Sequence, residues 1–361
     1  MESIYDSVTI IVSPRERFSP IINSLKSLFD SIPSKVPVIV VEGGSPGNTT
    51  DELRDLKNSR QYILISKPHY LTPNEARNIG AKLATTKYVV FTDNDIVYSQ
   101  NWLKYLLNNA NQHESSMVSP ITFIGPPTCA KIHHAGGNFK LSFSSDNIYI
   151  NELHRLSNRL YTCESSINWH DEAPLKNEIC EFHCVLVRKQ LLESTGYLDE
   201  RLITREHIDL ALRAKCLGHE VTFEKNSHVT YLALNKFEFS DLSYFLYRWS
   251  NRLAKSSIVA FESSWPFKIP VRGLIRGSIG GRKCRAVGSC FPRLHKLLGR
   301  RLFSHIVVKP LEYILTKNSG KIPPNKKGLL CPIKINEHIL DKMMSKILAD
   351  SESNTQNPHN A

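Results

Sequence analysis

The sequence predicts an α/β protein in which a mostly parallel sheet is covered by helices on both faces. Three observations predict it. β-branched, apolar runs at residues 7–12, 36–41, 62–66 and 88–91 alternate with stretches of helical apolar spacing. The run Val36-Pro37-Val38-Ile39-Val40-Val41 is apolar on both faces, as a central parallel strand should be. Two of the runs end in acid, Glu42 after the second and Asp93 with Asp95 after the fourth, and ligands collect at the carboxyl ends of parallel strands.

In chain order, the first strand at 7–12 leads to a helix over 18–29, where Ile21, Ile22, Leu25, Leu28 and Phe29 recur at helical spacing. The second strand closes in the turn Glu42-Gly43-Gly44-Ser45-Pro46-Gly47, followed by a short helix at 51–56. A third strand at 62–66 precedes a helix over 74–84 with Ala76, Ile79, Gly80 and Leu83 on one face, and then comes the strand at 88–91. Such β-α-β alternation implies right-handed crossovers.

Beyond a helix at 101–110, residues 118–177 read as irregular. They hold the turn-rich His133-His134-Ala135-Gly136-Gly137 and a polar run at 142–147, the texture of an insertion facing a substrate. Strand returns at 181–188, then a short helix at 189–194, an amphipathic helix at 206–217 closed by Gly218, and a strand at 221–223. From residue 240 the texture changes, with Tyr244, Phe245, Tyr247 and Trp249 crowded together before Gly- and Arg-rich sequence. The expected division is a first domain over 1–250, a basic, mainly helical C-terminal extension over 251–348, and a disordered polar tail over 349–361.

With 361 residues and 41% hydrophobic side chains the chain can bury one large core or two modest ones. It holds no run of about 18 apolar residues, and its first residues lack a basic-then-apolar signal pattern, so a cytoplasmic protein is expected. Eight cysteines are scattered without a CxxC pair, which predicts reduced thiols. Cys180 and Cys184 flank His183, but no second pair follows at finger spacing to complete a structural zinc set.

The formal charge of +12 is concentrated. Residues 241–310 hold fourteen Lys and Arg against two acids, Asp241 and Glu262, an excess equal to that of the whole chain. These basic residues are interleaved with Leu297, Leu298, Leu302 and Phe303, the pattern of a helix lying on a surface. Peripheral contact with the anionic inner face of a membrane is therefore expected; no nucleic-acid reader motif occurs, and nucleic acid is not an expected partner.

Asp93 and Asp95, one residue apart at a strand tip, can aim at one hard cation, Mg2+ or Mn2+, shared with a diphosphate. Asp-x-Asp also arises where Asp only turns or caps the chain, so the neighbouring sequence decides. Ile39-Val40-Val41-Glu42-Gly43-Gly44-Ser45, Ala76-Arg77-Asn78-Ile79-Gly80, Phe91-Thr92-Asp93-Asn94-Asp95 and Gly196-Tyr197-Leu198-Asp199-Glu200 ahead of Arg205-Glu206-His207-Ile208-Asp209-Leu210 follow one another in that order. From about residue 7 to residue 252 the chain resembles a family 2 glycosyltransferase with the GT-A fold.

That resemblance implies a Rossmann-like sheet and transfer of a sugar, with inversion, from a nucleotide-diphosphate donor to a hydroxyl acceptor, glycan or lipid-linked. It implies that Ser13, Arg15 and Glu42 meet base and ribose. Arg77, Asp93 and Asn94 would also bind the nucleotide sugar, and Asp95, Asp93 and His228 would hold Mn2+ or Mg2+. The chemistry suits the residues: Glu42 can accept from a ribose hydroxyl or a uracil N–H, Arg77 is a permanently charged fork for phosphate, and His with carboxylate favours Mn2+ over Ca2+.

Two departures from the family pattern stand out. Glu42 replaces a common Asp, and the late helix opens Glu206-His207 where relatives carry Glu-Asp, whose Asp serves as base. An imidazole with an ordinary pKa of about 6.5 can take an acceptor proton. His207 is the candidate base by position, followed by Glu206 and Asp209; Asp209 shares a helical face with Glu206, while His207 points about 100° away. Trp249 suits stacking on a sugar, a lid, or core packing. Nucleotidyl transfer would want a Gly-rich phosphate loop, which Ser13-Pro14-Arg15-Glu16-Arg17 lacks. The remaining alternative is an inactive GT-A-like protein that binds nucleotide or membrane, with His207 marking a lost base.

Overall fold

In the computed structural model the four apolar runs become neighbouring parallel strands, β1 (Val8–Ser13), β2 (Val38–Gly43), β3 (Ile63–Lys67) and β4 (Tyr88–Asp93), in the order β3-β2-β1-β4. Every residue of β1, β2 and β4 is buried, which is why their sequences run apolar instead of alternating. The structure describes residues 3–125, 131–144, 147–157, 177–233 and 237–317, with Asp341 and Ser345 beyond them. The expected tail at 349–361 lies outside the described residues.

Helices α1 (Ile21–Ser31), α2 (Gly47–Ser59) and α3 (Pro73–Leu83) make the crossovers. α3 starts sharply because Thr72 and Glu75 cap each other's backbone N–H groups, at 3.4 and 2.7 Å, with Pro73 in the first turn. It packs hard on β1: a Cβ added at Gly80 would stand 2.5 Å from Ile11 Cγ2.

The stretch expected to be irregular is mostly strand where it is described. After β5 (Ile96–Tyr98) and α4 (Trp102–Gln112) come β6 (Met117–Ile124), β7 (Lys131–His134), β8 (Gly137–Ser144) and β9 (Asn147–His154). β8 and β9 pair as an antiparallel hairpin in a small second sheet, whose third member is β12 (Phe267–Lys268). Only Gly137, Phe139 and Leu141 of β8 turn inward, so the hairpin's apolar signal is short, and its order comes from the cross-strand ladder.

β10 (Cys184–Arg188) inserts antiparallel between β4 and β6, followed by α5 (Lys189–Thr195) and α6 (Glu206–Cys216). β11 (Val221–Tyr231) is longer than the three residues expected, because a register shift against β6 between Glu224 and His228 breaks its alternation. In the main sheet β1, β2, β3, β4, β6 and β11 run one way and β5, β7 and β10 the other.

The C-terminal helices α7 (Leu242–Arg248), α8 (Asn251–Ser264), α9 (Gly280–Cys290), α10 (Pro292–Phe303) and α11 (Lys309–Thr316) lie against the sheet domain. Phe245, Ile279, Val287 and Phe303 share one core with Phe18 and Ile203, while Trp265, Phe267 and Ile269 share another with Ile150, Ile208 and Leu212. The described part of the extension, residues 251–317, therefore packs into cores that the sheet domain also supplies.

Gly80→Val is expected to cost about 1–3 kcal/mol of unfolding stability by overpacking against Ile11. Urea denaturation would check it, and an unchanged midpoint would refute the close contact.

Candidate active site at the strand tips

β1 and β4 end side by side, with Ser13 opposite Asp93. Asn94 fastens the loop that leaves β1 over the β4 tip. Its backbone N–H donates to Ser13 O at 3.1 Å, its Nδ2 donates to Arg17 O at 2.7 Å, and its Oδ1 accepts from the Arg15 N–H at 3.3 Å. Asp93, wholly enclosed, meets Arg77 Nη2 at 2.9 Å, His183 Nδ1 at 3.2 Å and Arg15 Nη1 at 3.4 Å. Arg15 also presses on the His183 ring.

Burial disfavours the Asp93 charge, but the hydrogen bond from His183 and the two guanidinium groups outweigh it and hold its pKa down at about 2. The His183 imidazole is driven the other way: burial, then the Arg15 charge, lower it to about 4, leaving a neutral ring with a lone pair to offer.

Asp95 differs from its neighbour. Both its carboxylate oxygens are buried without a hydrogen-bond partner among the described residues, and burial followed by the Asp93 charge pushes it up to about 8. Ligand atoms of Asp93, Asp95 and His183 lie within 4.8 Å of one another. Two carboxylates, one with orphaned oxygens, beside a neutral imidazole fit a divalent cation such as Mn2+ or Mg2+.

A cavity of about 370 Å3 opens from these tips, in the size range of ligand sites. Arg77, Arg248 and Arg282 line it with Glu206, which stands 3.8 Å from Arg77 and 3.7 Å from Arg248. Burial raises the Glu206 pKa, but Arg248 and Arg77 bring it below its ordinary value. Arg248 and Arg282 stack on Trp249 at 4.2 and 5.0 Å, and Arg282 donates to Glu16 at 2.8 Å. Nε and Nη1 of Arg248 are buried with no hydrogen-bond partner among the described residues, donors ready for an anionic oxygen.

On the opposite wall, Arg205 enters α6 in the left-handed conformation, φ 65° and ψ 13°. This costs a non-glycine residue about 1–2 kcal/mol and turns the start of α6 toward the cavity, where Glu206 and His207 line the wall. His207 Nε2 lies 2.5 Å from Glu152 Oε2, and Arg205 Nη1 donates to the other oxygen at 2.6 Å. Burial lowers the His207 pKa, but Glu152 above all, with Glu181 and Glu206, raises it past its ordinary value.

The model for Glycosyl transferase family 2 matches residues 9–193, more than half of the chain. The chain belongs to that family. An uncharacterized glycosyltransferase of Rickettsia bellii (strain RML369-C) is 27% identical over 100 residues, 28% of this chain and 14% of that protein. GalNAc-T7, crystallised with UDP, GalNAc and Mn2+, aligns with a TM-score of 0.50 at 13% identity, over 71% of this chain and 51% of that one. S. aureus TarS 1-349 in complex with UDP-GlcNAc gives 0.44 at 13% identity over 98% and 93%. The chain thus spans 14% of the curated relative and about half of the GalNAc-T7 chain. The likeness to GalNAc-T7 shows the GT-A fold.

In this family 2 chain, Ser13, Arg15, Arg77, Asp93, Asn94 and Asp95 come together at the tips, and Glu206 and His207 face them across the cavity. Glu42 stands at the β2 tip, one strand beyond Ser13, holding the Ser45 N–H at 3.3 Å; it continues the row of tips without lining the cavity. Asp209 does not line the cavity. It is buried behind α6, where it accepts from Trp265 Nε1 and Arg213 Nε, each at 2.8 Å, and ties the C-terminal segment to the helix.

His228 is corrected as the third metal-site candidate. The register shift in β11 seats it opposite Ile121, with its ring edge-on to Phe123 and its Nε2 2.9 Å from Lys225 O, and it joins no cation-binding group among the described residues. His183 stands with the carboxylates instead. Its neighbour Cys184 packs into the core, and Cys180 is likewise buried with a free thiol, so neither joins that group. Glu152, Glu181, Arg248 and Arg282 were not singled out by sequence, and Arg205 entered only as the first residue of the late-helix motif. For Arg248 a signal existed in its place between Tyr247 and Trp249, but Glu152 sits in a strand that the sequence hid.

Proposed function

We propose that this chain transfers a sugar from a nucleotide-diphosphate donor to a hydroxyl acceptor, glycan or lipid-linked, with inversion and with a divalent cation. The observation that carries the reading is Asp95: a buried carboxylate with two orphaned oxygens, behind Asp93 and His183, which line an arginine-rich cavity. In this reading the nucleotide lies along Glu42, Ser13 and Arg15. Asp95, Asp93 and His183 would hold Mn2+ or Mg2+, which supplies positive charge against the departing diphosphate. Arg248 and Arg282 meet phosphate oxygens, while Arg77 keeps Asp93 in place. Neutral His207 takes the acceptor's proton, with Glu206 second in line and Asp209 set aside by its buried partners. Residues 1–250 form the transferase domain in this reading, and the 251–348 extension closes the site through Arg282.

Calorimetric titration with nucleoside diphosphates, UDP among them, tests the donor site. Binding is expected to require Mn2+ or Mg2+ and to weaken at least about tenfold in Asp95→Asn. Failure of every nucleotide to bind, with or without metal, would favour the inactive binding protein instead.

His207→Asn is expected to lower kcat by about 10²–10⁴ while leaving the donor KM unchanged. Because the carboxylates raise the His207 pKa above its ordinary value, the neutral form grows as pH climbs, so wild-type kcat should rise with pH and the variant's profile should flatten. Full turnover in both His207→Asn and Glu206→Gln would remove the base from this helix.

The basic segment supports a membrane partner. Leu297, Leu302 and Ile306 are 80%, 56% and 59% exposed among the exposed Arg293, Lys296, Arg300 and Arg301. No helix among the described residues is long and apolar enough to cross a bilayer, so the contact is peripheral, at an anionic inner face. The protein should float with phosphatidylglycerol vesicles and not with phosphatidylcholine ones, and Leu297→Glu with Leu302→Glu should abolish flotation. Recovery that ignores lipid charge would discard this partner.

A further inference from the structure

Beyond the Asp95 group, a second set of chemistry-bearing side chains reaches the far side of the cavity through Glu152 and Glu181. His154 closes β9, Glu152 precedes it on the same face of that strand, and Glu181 leads into β10. His154 Nε2 faces two carboxylates at once, Glu152 Oε2 at 3.3 Å and Glu181 Oε1 at 3.7 Å. One ring nitrogen carries at most one hydrogen, so it can satisfy only one of these oxygens. The other oxygen of Glu181 is buried, with no hydrogen-bond geometry met among the described residues, although His133 Nε2 approaches it to 3.1 Å and His183 Nε2 to 3.4 Å. His134, wholly buried with neither ring nitrogen hydrogen-bonded, packs edge-on to His154 at 5.2 Å. Arg205 and His207 hold the two Glu152 oxygens, so Glu181 Oε2 and the His134 ring nitrogens are what this corner leaves without a hydrogen-bond partner among the described residues.

The spacing fits a metal ion. Ligand atoms bound at about 2.0–2.2 Å around one tetrahedral ion stand roughly 3.3–3.6 Å apart. The nitrogen of His154 stands 3.3 Å from one carboxylate, inside that range, and 3.7 Å from the other, just beyond it, and the ligand atoms of Glu152, His154 and Glu181 all lie within 4.8 Å of one another. None of the three belongs to the Asp93, Asp95 and His183 group.

We propose that Glu152, His154 and Glu181 form a second divalent-cation site on the wall that carries His207, separate from the one at Asp93 and Asp95. Its mixed nitrogen and oxygen donors suit Zn2+ or Mn2+ better than Mg2+. Glu152 and Glu181 line the cavity, so a fourth position faces it and takes an oxygen ligand, which is the acceptor's if the transferase reading holds. The cation site itself stands without that reading.

The test is a Co2+ titration of the full chain carrying Asp95→Asn, followed by visible absorption and by bound metal per chain. One equivalent with a ligand-field band is expected. Adding His154→Gln or, separately, Glu181→Gln should abolish the band and weaken binding at least about tenfold, with the far-ultraviolet circular dichroism unchanged. Having both variants keeps the test open if one of them fails to fold. Absence of Co2+ binding in Asp95→Asn, or one equivalent retained in the folded His154→Gln or Glu181→Gln protein, would overturn the site. A wild type whose only metal is lost with Asp95→Asn would overturn this proposal and leave the donor-site reading standing, whereas a wild type whose only metal stays fully bound in Asp95→Asn would leave this site standing and overturn the cation at Asp95.

Discussion

A buried carboxylate stays charged only where cations meet it, and Asp93 is where this structure answers that demand. Its three partners come from separate parts of the chain: Arg15 from the loop after β1, Arg77 from α3, and His183 from the approach to β10. Removing one partner from such a buried pair costs about 3–5 kcal/mol, so the group locks those three segments around one strand tip. The Asp95 oxygens are left over once these three partners are engaged. Two acids separated by one residue thereby acquire opposite characters, one closed by pairing and one open to a ligand.

The same network joins the two walls of the cavity. Arg77 reaches from Asp93 toward Glu206 at the start of α6, and Arg248 approaches Glu206 from the C-terminal segment. Two guanidinium groups thus meet at one carboxylate between the walls. The strained backbone at Arg205 is held from the far side by Glu152, whose two oxygens engage Arg205 and His207. Strain at this turn thus coincides with side chains that line the cavity wall.

The basic excess also divides by position. Arg248 and Arg282 turn inward, the first to Glu206 and the second to Glu16, whereas Arg293, Lys296, Arg300 and Arg301 remain on the surface. A count of charge along the chain merges a cavity-lining group with a solvent-facing one. Only packing separates them, because the side chains involved are of the same kind.

The parallel half of the sheet was legible because β1, β2 and β4 are buried on both faces, and a buried strand must be apolar along its length. The acids at the ends of β2 and β4 and the Ala-Arg-Asn-x-Gly segment were legible too, since each is a local pattern tied to a strand or helix end. The β8–β9 hairpin was not, because few of its side chains face the core, and the second half of β11 was hidden by its register shift. The pairing of His183, not His228, with the acids depends on β10 entering antiparallel beside β4, which brings a residue ninety positions away against Asp93. By itself the sequence determined which segments are strands of a buried sheet and which acids end them, for periodicity and end chemistry are properties of neighbouring residues. The tertiary structure alone decided which histidines, arginines and glutamates converge on those acids, because convergence is set by long-range pairing and packing.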